Sequence, residues 1–280
     1  MGQYLRDTFI ADLHRRIGEA APRTQFTHLY LNGVYWGVYD LHERIDEAYA
    51  ADHFGGSKAE YDVLKHRAEM VVHGSNVAFN ELMAIALRAG GLQETTNYND
   101  LSALLDVPAF VDYMLLNIYG GNTDWPHQNW YTVRRATGKF RFLSWDAEHT
   151  LKNVNESVLS DWNGKKGEPR VLWEALMKRP EFVSEVQARW MQLSSAGQPF
   201  YVDADNPLYL DSTTGNNQPA ALYMFRAKQI EAAILLESAR WGDGVRAEPY
   251  RVADWELERD RLLQSYFTAR SGIVRKELGL

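Results

Sequence analysis

The chain has 280 residues, 45% of them hydrophobic, with 30 Lys and Arg against 37 Asp and Glu and a formal net charge of −7. That acidic balance argues against non-specific nucleic-acid binding, which needs a basic footprint, and no run approaches the ~18 apolar residues of a membrane span. The lack of cysteine excludes disulfides, thiolate metal sites and a Cys nucleophile together.

Nine Trp and a 12% aromatic share call for a sizeable core or a substrate groove. The length suits one large domain or two tightly joined lobes. The first seven residues are polar and amphipathic, so no signal peptide is expected, and the chain reads as cytoplasmic or as cut from a longer protein.

In chain order, residues 4–17 carry Leu5, Phe9, Ile10, Leu13 and Ile17 at helical spacing. Two β-rich runs, 26–31 and 34–39, flank Asn32-Gly33, which predicts a hairpin with a type I′ turn. A helix is expected over 41–54, stopped by Gly55-Gly56, and then a short strand over 61–65. Helical spacing returns over 77–89 and 107–119, the second stopped by Gly120-Gly121. A second hairpin is predicted from 129–135, through a turn at 136–138, back along 139–145. Three helices follow, over 171–193, 220–240 and 252–277, with a polar loop at 197–219 between the first two. A β-rich front, about 1–75, and a helix-rich back, about 76–280, predict a two-lobed α+β protein in a single domain.

The chemistry concentrates around the second hairpin. Asp124 sits in the loop before it, Asn129 opens its first strand, and Asp146 lies at the end of its return strand. The ends of an antiparallel hairpin are neighbours, so Asn129 and Asp146 should meet, with Asp124 beside them. These are hard oxygen donors of the kind Mg²⁺ or Mn²⁺ prefers, and they leave one carboxylate free to accept a proton from a hydroxyl. Asp-x4-Asn, hairpin, Asp is also the order in which protein kinases use their catalytic loop and metal-binding acid. Here Asn122-Thr123 replaces the His-Arg before the first Asp, and Ala147-Glu148 the Phe-Gly after the second. On spacing alone, turn-capping roles for the same residues stand equally well. A hydrolase site using Asp124, His127, Asp146, Glu148 and His149 around zinc or manganese is a further reading, and a glycosidase pair of Asp146 and Glu148 a weaker one.

Three stretches carry a family likeness. Asn32-Gly33-Val34-Tyr35-Trp36-Gly37-Val38-Tyr39 with Glu43-Arg44-Ile45-Asp46, then 121–131 with 142–148, then 237–243 with Asp254-Trp255, resemble the motifs of the CotH kinase family. The likeness runs from about residue 4 to 275. It implies an atypical protein-kinase-like fold and transfer of phosphate from ATP, with Mg²⁺ or Mn²⁺, to a hydroxyl, most simply Ser or Thr of a protein. By position it implies Asp124 as the catalytic acid and Asp146 and Asn129 as metal ligands, with Glu148 as an auxiliary. Lys65 is the implied ATP-phosphate grip, and Glu43 its ion-pair partner or a direct metal contact. The likeness further implies export, to the cell surface or a spore coat. Gln128 stands where the family commonly has Asn, and the first hairpin has only Gly33 and Gly37 where kinases keep a glycine-rich loop. Arg240-Trp241 reads as a structural anchor. A polyol- or inositol-type acceptor, or a binding and adhesion role on the same scaffold, is the alternative. In the stretch 153–170, Lys165, Lys166 and Arg170 are candidates for an acidic acceptor.

Overall fold

The computed structural model describes residues 3–210, 215–244 and 247–280, so part of the polar loop at 197–219 and the first two residues lie outside the described residues. The first helix, α1 (Arg6–Ile17), buries the predicted stripe of Leu5, Phe9, Ile10, Leu13 and Ile17. Gly18 ends it in the left-handed region, its N–H turned back to the Arg15 and His14 carbonyls.

Strands β1 (Thr24–Leu31) and β2 (Val34–His42) form the predicted antiparallel hairpin. Asn32 and Gly33 both have positive φ, 52° and 81°, as a type I′ turn requires. Strand β2 runs on through Leu41 and His42 because pairing with Gln25 and Thr24 continues that far. The helix predicted from 41 therefore starts only at α2 (Glu47–Phe54), where the Asp46 carboxylate accepts the Ala48 and Tyr49 N–H groups.

Strand β3 (Tyr61–Lys65) matches its prediction, but β4 (Arg67–His73) had no sequence signal, since most of its side chains are exposed. Helices α3 (Val77–Ala86), α4 (Thr95–Leu104) and α5 (Val107–Gly120) follow, α4 likewise unpredicted. The second hairpin is β5 (Trp130–Arg135) and β6 (Arg141–Ser144), and the four strands make one antiparallel sheet in the order β4-β3-β5-β6. Strands from residues 61–73 and 130–144 thus share one sheet.

After a 3₁₀ turn (Ala147–His149) come α6 (Val158–Asp161), α7 (Glu168–Leu176) and α8 (Pro180–Leu193). The helix predicted over 171–193 is two helices, because Pro180 has no N–H and disfavours a helical residue before it. Helix α9 (Gln218–Trp241) is long and uninterrupted. The last predicted helix is α10 (Val252–Arg261) and α11 (Phe267–Glu277), joined by a π-helical turn at Leu262–Tyr266. The architecture is α+β, with two small antiparallel sheets against a mainly helical body.

Helix α5 is the centre of the core. It is buried at every position from Ala109 to Gly120, packed against α1, α8, α11 and β6. Phe9 of α1 meets Tyr223 of α9 and Phe267 of α11 at ring-centroid distances of 5.9 and 5.3 Å. Arg226–Asp12 (2.5 Å), Arg189–Asp112 (2.7 Å) and Arg6–Glu258 (2.7 Å) tie distant elements together around this core.

Candidate functional site

The loop leaving α5 delivers Asp124. Gly121 adopts a left-handed conformation (φ 56°) that ends the helix, and the buried Asn122 then bridges back, donating to Asn117 Oδ1 (3.0 Å) while its own Oδ1 accepts the Asp124 N–H (3.2 Å). Trp125, fully buried, donates its indole N–H to the Tyr113 hydroxyl (2.6 Å). Asp124 is therefore held between a helix end and a buried aromatic, with only its carboxylate free to reach the site.

That carboxylate is well supplied with donors. Oδ2 accepts from Gln128 Nε2 (2.6 Å) and Asn129 Nδ2 (3.0 Å), and Oδ1 from Lys165 Nζ (3.3 Å), with His127 Nε2 at 3.7 Å. Partial burial pushes the Asp124 pKa up, but the hydrogen bonds from Gln128 and Lys165 and the Lys165 charge outweigh it and leave the group below its ordinary value. It is a carboxylate at neutral pH.

Asn129 links the two acids. Its Nδ2 donates both to Asp124 Oδ2 and to the Asp146 backbone carbonyl (3.3 Å), which puts the open end of the hairpin where the strand geometry predicted. Asn129 pays a conformational cost of about 1–3 kcal/mol for its left-handed backbone (φ 62°). What holds it there is a pair of bonds with His66 on either side of the same peptide junction: the Asn129 N–H donates to His66 Nδ1 (2.8 Å), and the His66 backbone N–H donates to the carbonyl of the next residue, Trp130 (2.9 Å). Burial first, then the Lys65 charge, lowers the His66 pKa, which keeps that nitrogen an acceptor.

Asp146 also sits in the left-handed region (φ 53°, ψ 48°), with its side chain exposed at a cleft of 620 Å³. The cleft is lined from α1 by Arg6 and Asp7, from β2 by Asp40 and His42, and beyond the hairpin by Glu148 and Lys152. Asp7 Oδ1 accepts the Ala147 N–H (2.6 Å). His42 lies between Asp7 Oδ2 (3.5 Å from Nδ1) and Asp40 Oδ2 (3.2 Å from Nε2), and Thr8 donates its hydroxyl to Asp40. The Asp40 hydrogen bond raises the His42 pKa, and burial raises that of Asp7 against the pull of the Ala147 N–H.

The other sequence-predicted residues fall less centrally. Lys65 lies over the Tyr131 and Trp145 rings, 5.3 and 5.6 Å from their centroids, a cation–π seat beside the hairpin. Glu43 does not pair with it: its carboxylate accepts the Arg23 N–H (2.8 Å) and meets His53 (3.2 Å), because the extension of β2 carries it to that side. Glu148 turns to His149 (3.6 Å) with a largely exposed side chain. Lys165 meets Asp124 rather than standing free for an acceptor, while Lys166 and Glu168 line a second, open groove of 400 Å³ with Arg67 and His127. Arg240 and Trp241 anchor the first hairpin: Arg240 stacks over Trp36 and the Trp241 indole donates to the Trp36 carbonyl (2.7 Å). Asp7, Asp40, His42 and His66 had no motif to mark them, since each reaches the site only through the tertiary fold.

No three His, Asp or Glu side chains among the described residues converge as a ready cation cage, so the five residues of the hydrolase reading do not form one centre. Two carboxylates and an amide remain. That donor set fits Mg²⁺ or Mn²⁺ arriving with substrate phosphates, since Mg²⁺ is usually held by one or two carboxylates plus phosphate oxygens rather than by an all-protein cage. The amide nitrogen of Asn129 is committed to the two acids, which leaves its oxygen for a cation.

Among curated proteins, no sequence matches the chain. Residues 2–197 match the family model described as CotH kinase protein, a span that contains Asp124, Asn129 and Asp146. Since that match covers well over half its length, the chain belongs to the CotH kinase family.

Proposed function

We propose that the chain transfers the γ-phosphoryl group of ATP to a hydroxyl, most simply that of Ser or Thr in a protein. The observation that carries this reading is the Asn129 side chain, whose nitrogen joins the Asp124 carboxylate to the carbonyl of Asp146, a residue that lines the cleft. Asp146, Asn129 and, as an auxiliary, Glu148 would hold the metal, which when bound screens phosphate charge and orients the γ-phosphoryl group for in-line attack.

The chain's own residues do the rest. Asp124 orients the acceptor hydroxyl; as the acceptor oxygen bonds to phosphorus and the bond to the β-phosphate oxygen breaks, the hydroxyl proton passes to the carboxylate and from there to solvent. Lys165, on the same carboxylate, helps to keep Asp124 ionised until the hydroxyl arrives. Lys152 in the Asp146 cleft and Lys65 over the Trp145 ring are positive charges that ATP phosphates would meet, whereas Arg6 is paired with Glu258. Positioning and electrostatics supply most of the rate in such reactions. The groove lined by Arg67, His127 and Lys166 adjoins Asp124 through His127 (3.7 Å) and is where the acceptor would enter. By family, the acceptor is expected outside the cell or on a spore coat; no helix among the described residues is long and apolar enough to cross a membrane.

The test is labelling with γ-labelled ATP and Mg²⁺ or Mn²⁺. Wild type should label itself or an added protein, Asp146→Ala should abolish the signal, and Asp124→Asn should reduce it by about 10² or more. Label that survives Asp146→Ala removes this site from the reaction. A second reading, a binding or adhesion module, is favoured by the exposed Tyr30, Leu31, Val34, Tyr39 and Leu41 on the first hairpin. ATP with metal raises the melting temperature by mass action under the first reading and leaves it unchanged under the second.

A further inference from the structure

We propose that Asp7, in the first turn of α1, is a positioning residue that sets the orientation of the Asp146 carboxylate by gripping the peptide group that follows it. The proposal rests on the phosphoryl-transfer reading and extends it to a residue with no place in the hairpin motif.

The Asp146 carbonyl and the Ala147 N–H belong to one peptide plane. Asn129 Nδ2 donates to its oxygen (3.3 Å) and Asp7 Oδ1 accepts from its nitrogen (2.6 Å), so the plane is clamped at both ends. The clamp is needed, because Asp146 is a non-glycine residue in the left-handed region (φ 53°, ψ 48°) and makes no side-chain cap hydrogen bond to the turn it opens. Released, the residue would relax toward ordinary backbone angles, losing the Asn129 bond to its carbonyl and re-aiming its carboxylate.

Asp7 is itself held. Its second oxygen faces His42 Nδ1 (3.5 Å), whose other nitrogen faces Asp40 (3.2 Å), and Asp40 accepts the hydroxyl of Thr8, the next residue of α1. The His42 ring stands edge-on to Trp145, 6.2 Å between centroids, which connects the strut to the residue just before Asp146. Helix α1, strand β2 and the end of β6 thus meet at this one peptide group.

Three substitutions separate positioning from charge. Asp7→Asn keeps an oxygen for the Ala147 N–H and loses the charge; Asp7→Ala loses both; Asp7→Glu keeps the charge and moves the oxygen by a methylene. The expected result is a kcat about 10–100-fold lower for Asp7→Ala and at least about tenfold lower for Asp7→Glu, with Asp7→Asn within about threefold of wild type. Calorimetric binding of Mn²⁺ with a non-hydrolysable ATP analogue should weaken in the same order. Wild-type kcat and binding in Asp7→Ala would overturn the proposal. So would equal losses in Asp7→Asn and Asp7→Ala, which would make Asp7 a charge or a ligand. Should Asp7→Ala not fold, Asp7→Glu decides: wild-type behaviour overturns the proposal, a tenfold loss supports it. Wild type and Asp146→Ala are assayed alongside. If wild type does not label, or Asp146→Ala does, the phosphoryl-transfer reading fails irrespective of Asp7. If both behave as expected and the Asp7 series does not, only the positioning role fails.

Discussion

His14 faces the core from α1 with no exposed surface and, among the described residues, no hydrogen-bond partner for either ring nitrogen. Burial first, and then the neighbouring Arg15 charge, push its pKa down to about 3. The folded protein therefore keeps His14 neutral, while the unfolded chain protonates it below its ordinary value of about 6.5. Between those values the unfolded state binds more protons, so stability is complete above pH ~6.5 and falls with pH toward 3, by about 1.4 kcal/mol per unit. Urea unfolding at pH 7 and pH 4.5 should show this residue's share as about 2–3 kcal/mol, and His14→Leu should lose less stability over that interval than wild type. An equal loss in both proteins would assign the acid sensitivity to other groups. Asp124 and Asp146 were legible in the sequence at this same scale because their spacing to the hairpin is local. His66 was not, since a histidine next to a strand lysine carries no mark of the Asn129 N–H it will accept.

Helix α5 shows how an element is stopped and aimed. Its last carbonyls, on Ile118 and Tyr119, accept from Arg270 of α11, which also donates to the Val154 carbonyl (2.7 Å), while the Tyr266 hydroxyl donates to Tyr119 (2.9 Å). Arg270 has no exposed surface. It supplies both hydrogen bonds and positive charge at the negative end of the helix dipole. Arg270→Met keeps the packing volume but takes one donor from each of three carbonyls, of which Tyr119 keeps the Tyr266 hydroxyl and Ile118 the Gly121 N–H, and should cost about 1–3 kcal/mol in urea unfolding. Because α5 runs directly into Gly121, Asn122 and Asp124, the folded fraction of that variant should also label more slowly; a full rate would mean the loop is set independently of the helix end. Element existence was readable where a local signal is strong: Asn32-Gly33 for the first turn, the apolar face of α5, Gly120-Gly121 for its end. Strand β4 and helix α4 escaped because their faces are largely solvated, and 171–193 read as one helix although Pro180 divides it.

At the scale of the whole molecule, the family match ends at residue 197, yet the helices beyond it complete the core. Phe9 packs on Tyr223 and Phe267, Gln3 joins Tyr223 (2.6 Å) and Trp255 (3.3 Å), Asp12 pairs with Arg226 and Arg6 with Glu258. Removing α9 to α11 would expose that apolar surface and leave Arg6 and Asp12, both buried, without their distant partners. A fragment of residues 1–197 should therefore be insoluble or lack a cooperative melting transition, whereas the full chain should show one. A folded, soluble fragment would make the C-terminal helices an accessory.

The sequence by itself determined the second hairpin and the order of acid, amide and acid around it, because a turn and the strands it joins are specified by neighbours in the chain. It also carried the family likeness. Tertiary structure alone decided which partners those residues meet: Lys165 on Asp124, His66 on Asn129, Asp7 on the peptide after Asp146, and Glu43 turned to Arg23 and His53 instead of Lys65. Such contacts join residues up to 140 positions apart, as between Asp7 and Ala147. Local spacing says nothing of them; they exist because α1 is drawn against α5 by the burial of its apolar stripe, and that burial brings Asp7 to the site.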